Sequence, residues 1–300
     1  MAKSKLIKES KGDRIFGGIN FLLVTIFMLI VLYPLIYILS CSFSDPHLVA
    51  SGQVWLYPKG FNLEGYARVF KDENIMIGYA NTIFYTVVGT LINLTLTLPA
   101  GYALSKKFPG RNFIMAIFFI TMYFGGGMIP TYLLIRDLNL FNTRLVLLIM
   151  GAISVYNVII ARTFFAGTPK ELEEAAIIDG ASTFRTFIQI VLPISKALIG
   201  VLTLYYAVAH WNSYFNAMIY IRDDIKKPLQ LFLRNILINE QMSSAMADTA
   251  SDPEAMAEAE RLKQLLKYSV IIVSSLPLLI VYPFLQKYFD KGVLIGSIKG

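Results

Sequence analysis

Six apolar runs, each free of charge, alternate with polar segments along the 300 residues. No Asp, Glu, Lys or Arg occurs between Arg14 and Asp45, Glu73 and Lys106, Arg111 and Arg136, Arg144 and Arg162, Lys196 and Arg222, or Lys267 and Lys287. A helix needs about 20 apolar residues to cross the hydrocarbon core of a bilayer. A helix on the surface of a soluble protein also needs a polar face, and these runs have almost none. The pattern predicts an all-α integral membrane protein. Its spans fall at about 15–41, 79–104, 113–134, 145–166, 197–219 and 268–286, inside one domain over 15–290. A basic tail, 1–14, precedes that domain and a short tail, 291–300, follows it.

Interruptions in the runs carry the next information. Gly125-Gly126-Gly127 and Pro130 lie inside the third span. They are either a kink lining a cavity or a place where small residues let helices pack closely. In the loop 42–78, Pro58-Lys59-Gly60 reads as a turn, and Asn62 as the cap of a short helix with Leu63, Tyr66 and Phe70 on one face. The loop 220–267 is the longest. Near its end Ser251 and Glu254 form a capping-box pattern with Pro253, which predicts a soluble helix before span six.

Composition agrees with the pattern: 56% of residues are hydrophobic and 16% charged. The net charge of +7 reports topology. With the N-terminus inside, the inner segments (1–14, 105–112, 162–196 and 287–300) hold 15 Lys+Arg against 7 Asp+Glu, and the outer ones 12 against 13. That is the positive-inside distribution, with both termini cytoplasmic. No basic patch interleaved with aromatics points to nucleic acid. The single cysteine, Cys41, excludes an internal disulfide, and the apolar run before it is too long for a signal-peptide core.

One inner segment differs from everything around it: Thr168 to Pro193, which contains EEAAIIDGAS. Thr168 and Glu171 have capping-box spacing with Pro169 between them. Glu171, Glu173 and Glu174 fall in the first turns, where the helix dipole favours negative charge. Gly180 stands where a left-handed residue would close a helix over 169–179. Ser182 can cap a second helix with Phe184, Phe187, Ile188 and Val191 on one side, ended by Pro193. Both helices are shorter than the roughly 12–15 residues that an isolated helix needs in water. They must pack on something, either the groove of a partner or their own bundle.

Here the chain resembles a known family. Glu174-Ala175-Ala176, Gly180, Ile190, Leu192 and Pro193 reproduce the EAA…G…I-LP signature of permease subunits of bacterial ABC importers. LYPKGFNLEGYARVF, HWNSYFNAMIYI and KYFDKGVLIGSIKG are similar to segments of carbohydrate-type permeases of the maltose-importer group. GGGMIPTYLLI and PLQLFLRNILI are similar to the subgroup that carries complex oligosaccharides. The resemblance implies the type I importer permease fold in the bacterial cytoplasmic membrane. It implies that the elbow couples the chain to a dimeric ATPase subunit, with Glu174 in polar contact, Ala175 and Ala176 allowing close approach, Gly180 making the turn, and Ile190, Leu192 and Pro193 anchoring the second arm. A second six-span permease and an extracytoplasmic solute-binding protein complete the implied assembly. The chain has no G-x-x-x-x-G-K-[ST] phosphate loop, so ATP and its Mg belong to the ATPase and no cofactor is expected here.

A sugar path needs hydrogen bonds and aromatic faces. Asn93, Asn157, Trp211, Asn212, Tyr214 and Asn216 are the candidates, each of which could instead be helix–helix glue or an interfacial belt residue. Arg162, near the inner end of a span, reads as a side chain that snorkels to headgroups. A membrane enzyme lacks a nucleophile–base pair or metal cluster, since the histidines are only His47 and His210. A stand-alone secondary transporter lacks acidic groups inside the spans and matched halves. An ABC importer of a non-sugar solute shares the coupling signature.

Overall fold

The computed structural model describes residues 10–246, 261 and 266–283, and among these every regular element is helical. The C-terminal tail and the expected helix capped by Ser251 lie outside the described residues. In chain order the helices are α1 (Lys11–Ser42), α2 (Pro46–Ala50), α3 (Glu64–Lys71), α4 (Glu73–Ser105), α5 (Arg111–Tyr123), α6 (Met128–Asp137), α7 (Arg144–Ile149), α8 (Val155–Ala166), α9 (Lys170–Ile178), α10 (Thr183–Ile194), α11 (Lys196–Trp211), α12 (Phe215–Tyr220), α13 (Leu229–Met246) and α14 (Leu266–Pro283). They fall into two compact units, 1–69 with 239–272 and 70–238 with 273–300.

In the first unit α1 starts four residues before the expected span, because Ser10 and Asp13 close a reciprocal capping box. Its apolar residues from Ile15 to Leu35 are almost all exposed. Only its last turn, Ser40 to Ser42, is buried, against the following loop. Ser40 Oγ donates to the Leu56 carbonyl at 2.8 Å, and the Lys59 N–H donates to Ser44 Oγ at 3.0 Å. The turn at Pro58–Gly60 forms, with Gly60 at φ +63°. Asn62 caps α3 as expected, its Oδ1 accepting from the Glu64 N–H. The buried face of α3 is Gly65 and Val69, whereas Leu63 is half exposed. Glu64 accepts from Arg68 at 2.7 Å and Arg261 at 3.0 Å, and the Arg68 bond holds its carboxyl below the usual carboxylate range.

In the second unit α4 is the axis. It packs along α8 and α11. Near its start, Tyr85 joins Ile135, Val146, Leu148, Ala217 and Tyr220 in one core. Near its end, Leu98 and Tyr102 join Ala161, Phe165, Phe187, Val191 and Leu202 in another. Close approach depends on Gly101, where an added Cβ would meet Ala161 Cβ at 2.5 Å and Arg162 N at 3.0 Å.

Three expected spans are broken. α1, α4 and α14 are each long and apolar enough to cross a membrane. The third run divides into α5 and α6, bent by 109° at Phe124–Gly127. A Cβ on Gly125 or Gly126 would meet nothing within 4 Å, so close helix packing does not explain these glycines among the described residues. The fourth run divides at Met150–Ser154, where Gly151 takes φ +84°. The fifth enters through an 83° bend between α10 and α11 and breaks again at Asn212–Tyr214. Broken backbone in a membrane needs replacement hydrogen bonds, and at the break before α8 the polar residue Asn93 of α4 supplies them.

Candidate functional site

The elbow is present as two short arms. α9 runs from Lys170 to Ile178, and Gly180, at φ +77°, turns the chain. A left-handed residue here is what Gly permits at least cost. Ser182 caps α10, its Oγ accepting from the Arg185 N–H at 3.3 Å. The expected cap on α9 does not form. Pro169 occupies the N-cap position without a side-chain bond, and Thr168 Oγ1 turns back to the Phe164 carbonyl at 3.5 Å. The hydroxyl satisfies the end of α8 in preference to the start of α9.

Pro193 does not end α10 at once. It lacks an N–H and crowds the carbonyl four residues back. The turn before it widens into a π-helical stretch, Phe187–Val191, in which the Leu192 N–H donates to the Phe187 carbonyl. Of the expected apolar face, Phe187 and Val191 are buried, while Phe184 is 75% exposed and Ile188 43%. Ile190 and Leu192 are half-buried and Pro193 is exposed, so Phe187 and Val191 are the deeper anchors.

The three glutamates point differently. Glu171 and Glu174 are exposed, as is Ala175, while Ala176 is buried. Leu172, Ile178 and Phe184 stay uncovered beside them, Ile178 at 85%. Glu173 faces its own bundle: it pairs with Lys106 and accepts from Tyr102 Oη at 3.3 Å. Residues 173 and 176 lie on one helical face. That spacing was available in the sequence and marks Glu173 and Ala176 together as the inward side.

The candidate solute-path residues separate. Asn93 is fully buried, and its Nδ2 donates to the carbonyls of Gly151 and Ala152, each at 2.8 Å. Those are the carbonyls freed by the break before α8. The two bonds orient the amide so that Oδ1 accepts, at 2.7 Å, from His210 Nε2. Trp211 is buried, with Nε1 donating to the Ser274 carbonyl at 2.9 Å and an edge contact to Tyr79. Asn93 and Trp211 are thus occupied by the protein. Asn212 closes α11, donating to the Val208 carbonyl at 3.0 Å. Tyr214 is 39% exposed and lies under the Arg234 guanidinium, and Asn216 is half-buried in α12. Asn157 lines a hollow of about 440 Å³, together with Tyr156, Leu204, Tyr205 and Val208. The two tyrosines were missed in the sequence, where a tyrosine in a span is indistinguishable from a belt residue. Arg162 does not reach away from the bundle. Its Nε donates to the Leu104 carbonyl at 3.2 Å and caps the end of α4.

This arrangement of two short arms on a broken-helix bundle has known counterparts. Residues 74–295 match the family described as binding-protein-dependent transport system inner membrane component. The chain belongs to that family. Protein LplC of Bacillus subtilis (strain 168) is 40% identical over 301 residues, 100% of each chain. The polygalacturonan/rhamnogalacturonan transport system permease protein YtcP of the same organism is 37% identical over 289 residues, 96% of this chain and 99% of its own. A chain of the crystal structure of a bacterial ABC transporter involved in the import of the acidic polysaccharide alginate superposes with a TM-score of 0.83 at 37% identity, over 94% of this chain and 99% of that one. The chain is therefore an inner-membrane permease subunit of an ABC importer, a transport component and not an enzyme, with the fold that the EAA signature implied. As a component it works inside a larger transport system.

Proposed function

We propose that this permease passes an oligosaccharide across the cytoplasmic membrane by alternating access, with oligosaccharides of acidic sugars as the first candidates. The elbow from Glu174 to Pro193 docks on a separate ATPase dimer, which holds ATP and Mg. A second six-span permease completes the channel, and an extracytoplasmic binding protein delivers the solute. Both termini are cytoplasmic. The observation that carries the coupling part is the outer side of the elbow. Glu174, Ala175, Ile178 and Phe184 stand uncovered on two arms too short to hold themselves in water. Two considerations support the solute. YtcP is named for polygalacturonan/rhamnogalacturonan transport, and the solved importer for import of the acidic polysaccharide alginate. The hollow beside Asn157 also joins an amide to two tyrosines, Tyr156 and Tyr205, the pairing that sugar hydroxyls and ring faces call for.

ATPase capture tests the coupling. Wild-type protein isolated gently from its own membranes should bring down an ATPase and a second permease. Gly180→Arg should insert normally but lose the ATPase, and Gly180→Asn, which tolerates the left-handed turn, should retain it. Retention of the ATPase by the arginine variant would overturn the elbow reading. Uptake of oligogalacturonate into vesicles should follow ATP. Uptake that follows an ion gradient instead would make the chain a carrier in its own right.

A further inference from the structure

The elbow is held from inside by one side chain that touches both of its arms. Tyr102, in the last turn of α4, is buried. Its ring stacks on Phe187 of α10, centroids 4.9 Å apart at 28°, and meets Phe165 of α8 edge-on at 5.7 Å. Its hydroxyl donates to Glu173 of α9. Lys106, the C-cap residue of α4, completes the group: its ammonium pairs with Glu173 and lies 4.5 Å from the centre of the Tyr102 ring. The Glu173 side chain is only 14% exposed. Removing one partner of such a shielded pair leaves the other charge poorly solvated, so the group favours staying closed.

The geometry points to a positioning role: we infer that Tyr102, Lys106 and Glu173 form a clamp that makes the elbow and α4 one mechanical body, so that a displacement of the elbow is delivered to α4. This rests on the proposed docking of the elbow to an ATPase. Glu174 faces outward, toward the site assigned to the partner, and its neighbour Glu173 faces inward. Adjacent residues on one helix divide the two tasks because a step along the helix turns about 100°. Through α4 the displacement reaches Asn93, and from there the break before α8 and His210 on α11.

The test uses the complete reconstituted importer, with oligogalacturonate as probe, and reads transport per ATP hydrolysed. Glu173→Gln and Lys106→Met should each lower that ratio roughly fivefold or more, the lower range of coupling between distant sites. The paired exchange, Glu173→Lys with Lys106→Glu, should recover most of the loss, which a merely structural defect would not do. Arg68→Gln, in a surface pair of the other unit, should leave the ratio unchanged. Single variants that keep the wild-type ratio would overturn the clamp. So would variants that lower only the amount of assembled complex while each complex stays fully coupled. If wild-type protein captures no ATPase at all, the docking proposal fails, and the coupling role of the clamp falls with it.

Discussion

α1 and α4 are nearly equal in length, 32 and 33 residues, and both are long enough to cross a membrane. They are built on opposite rules. The most apolar window of α1 is 0% buried, whereas that of α4, the less apolar of the two, is 39% buried. Polarity marks the difference. α4 carries Asn81, Thr82, Tyr85, Thr90, Asn93, Thr97 and Tyr102 on its buried side. Among them, Asn81 Nδ2 donates to the carbonyls of Ile225 and Lys227, Thr82 Oγ1 accepts from the Leu229 N–H, and Thr97 Oγ1 lies 2.7 Å from Tyr206 Oη. In water, burial selects apolar side chains. In lipid the tails are as apolar as leucine, so small and hydrogen-bonding residues mark the protein's interior.

The contrast can be broken deliberately, and the largest effect should come from the tightest contact. Gly101→Val would press a branched side chain onto Ala161 Cβ and the Arg162 backbone. It should cost about 3 kcal/mol, the upper range for overpacking, read as loss of folded protein on heating in detergent. Asn93→Leu leaves the Gly151 and Ala152 carbonyls and His210 without their partner. Interhelical hydrogen bonds in membranes are weaker than isolated ones, so about 1–2 kcal/mol is expected. Hydrogen exchange should rise first at residues 150–155. The smallest effect belongs to α1. Leu29→Ala, at a residue 55% exposed, should change stability by less than about 0.5 kcal/mol. A loss of 2 kcal/mol or more there would show that α1 is covered in the assembly.

The apolar runs were legible because a bilayer imposes length and apolarity together, and α1, α4 and α14 follow them closely. The breaks were less so. A glycine triplet announced the one at Phe124–Gly127, whereas the one at Met150–Ser154 has only a single glycine, Gly151, and the cap residue Ser154 as local marks. Its carbonyls are satisfied by Asn93, 58 and 59 residues away in sequence. A long-range partner leaves no periodic trace at the place it repairs. For the same reason Asn93 and Trp211, which read as possible solute contacts, are helix–helix ties. In the elbow Gly180 and Ser182 were readable, because turn and cap chemistry is local. Thr168 was misassigned because two helix ends compete for one hydroxyl. The EAA signature drew the eye to Glu174 and away from Glu173, whose partner Lys106 lies 67 residues earlier.

Asn93 also sets an order of events during synthesis. Its carbonyl partners follow 58 and 59 residues later, and His210 follows 117 residues later. At about 5–20 residues per second the interval before His210 exists is roughly 6–23 s. For that time α4 holds an amide in the membrane with its set of partners incomplete. The same residue that ties α4 to the break before α8 and to α11 in the finished protein thus has its hydrogen bonds completed only after most of the chain has been made.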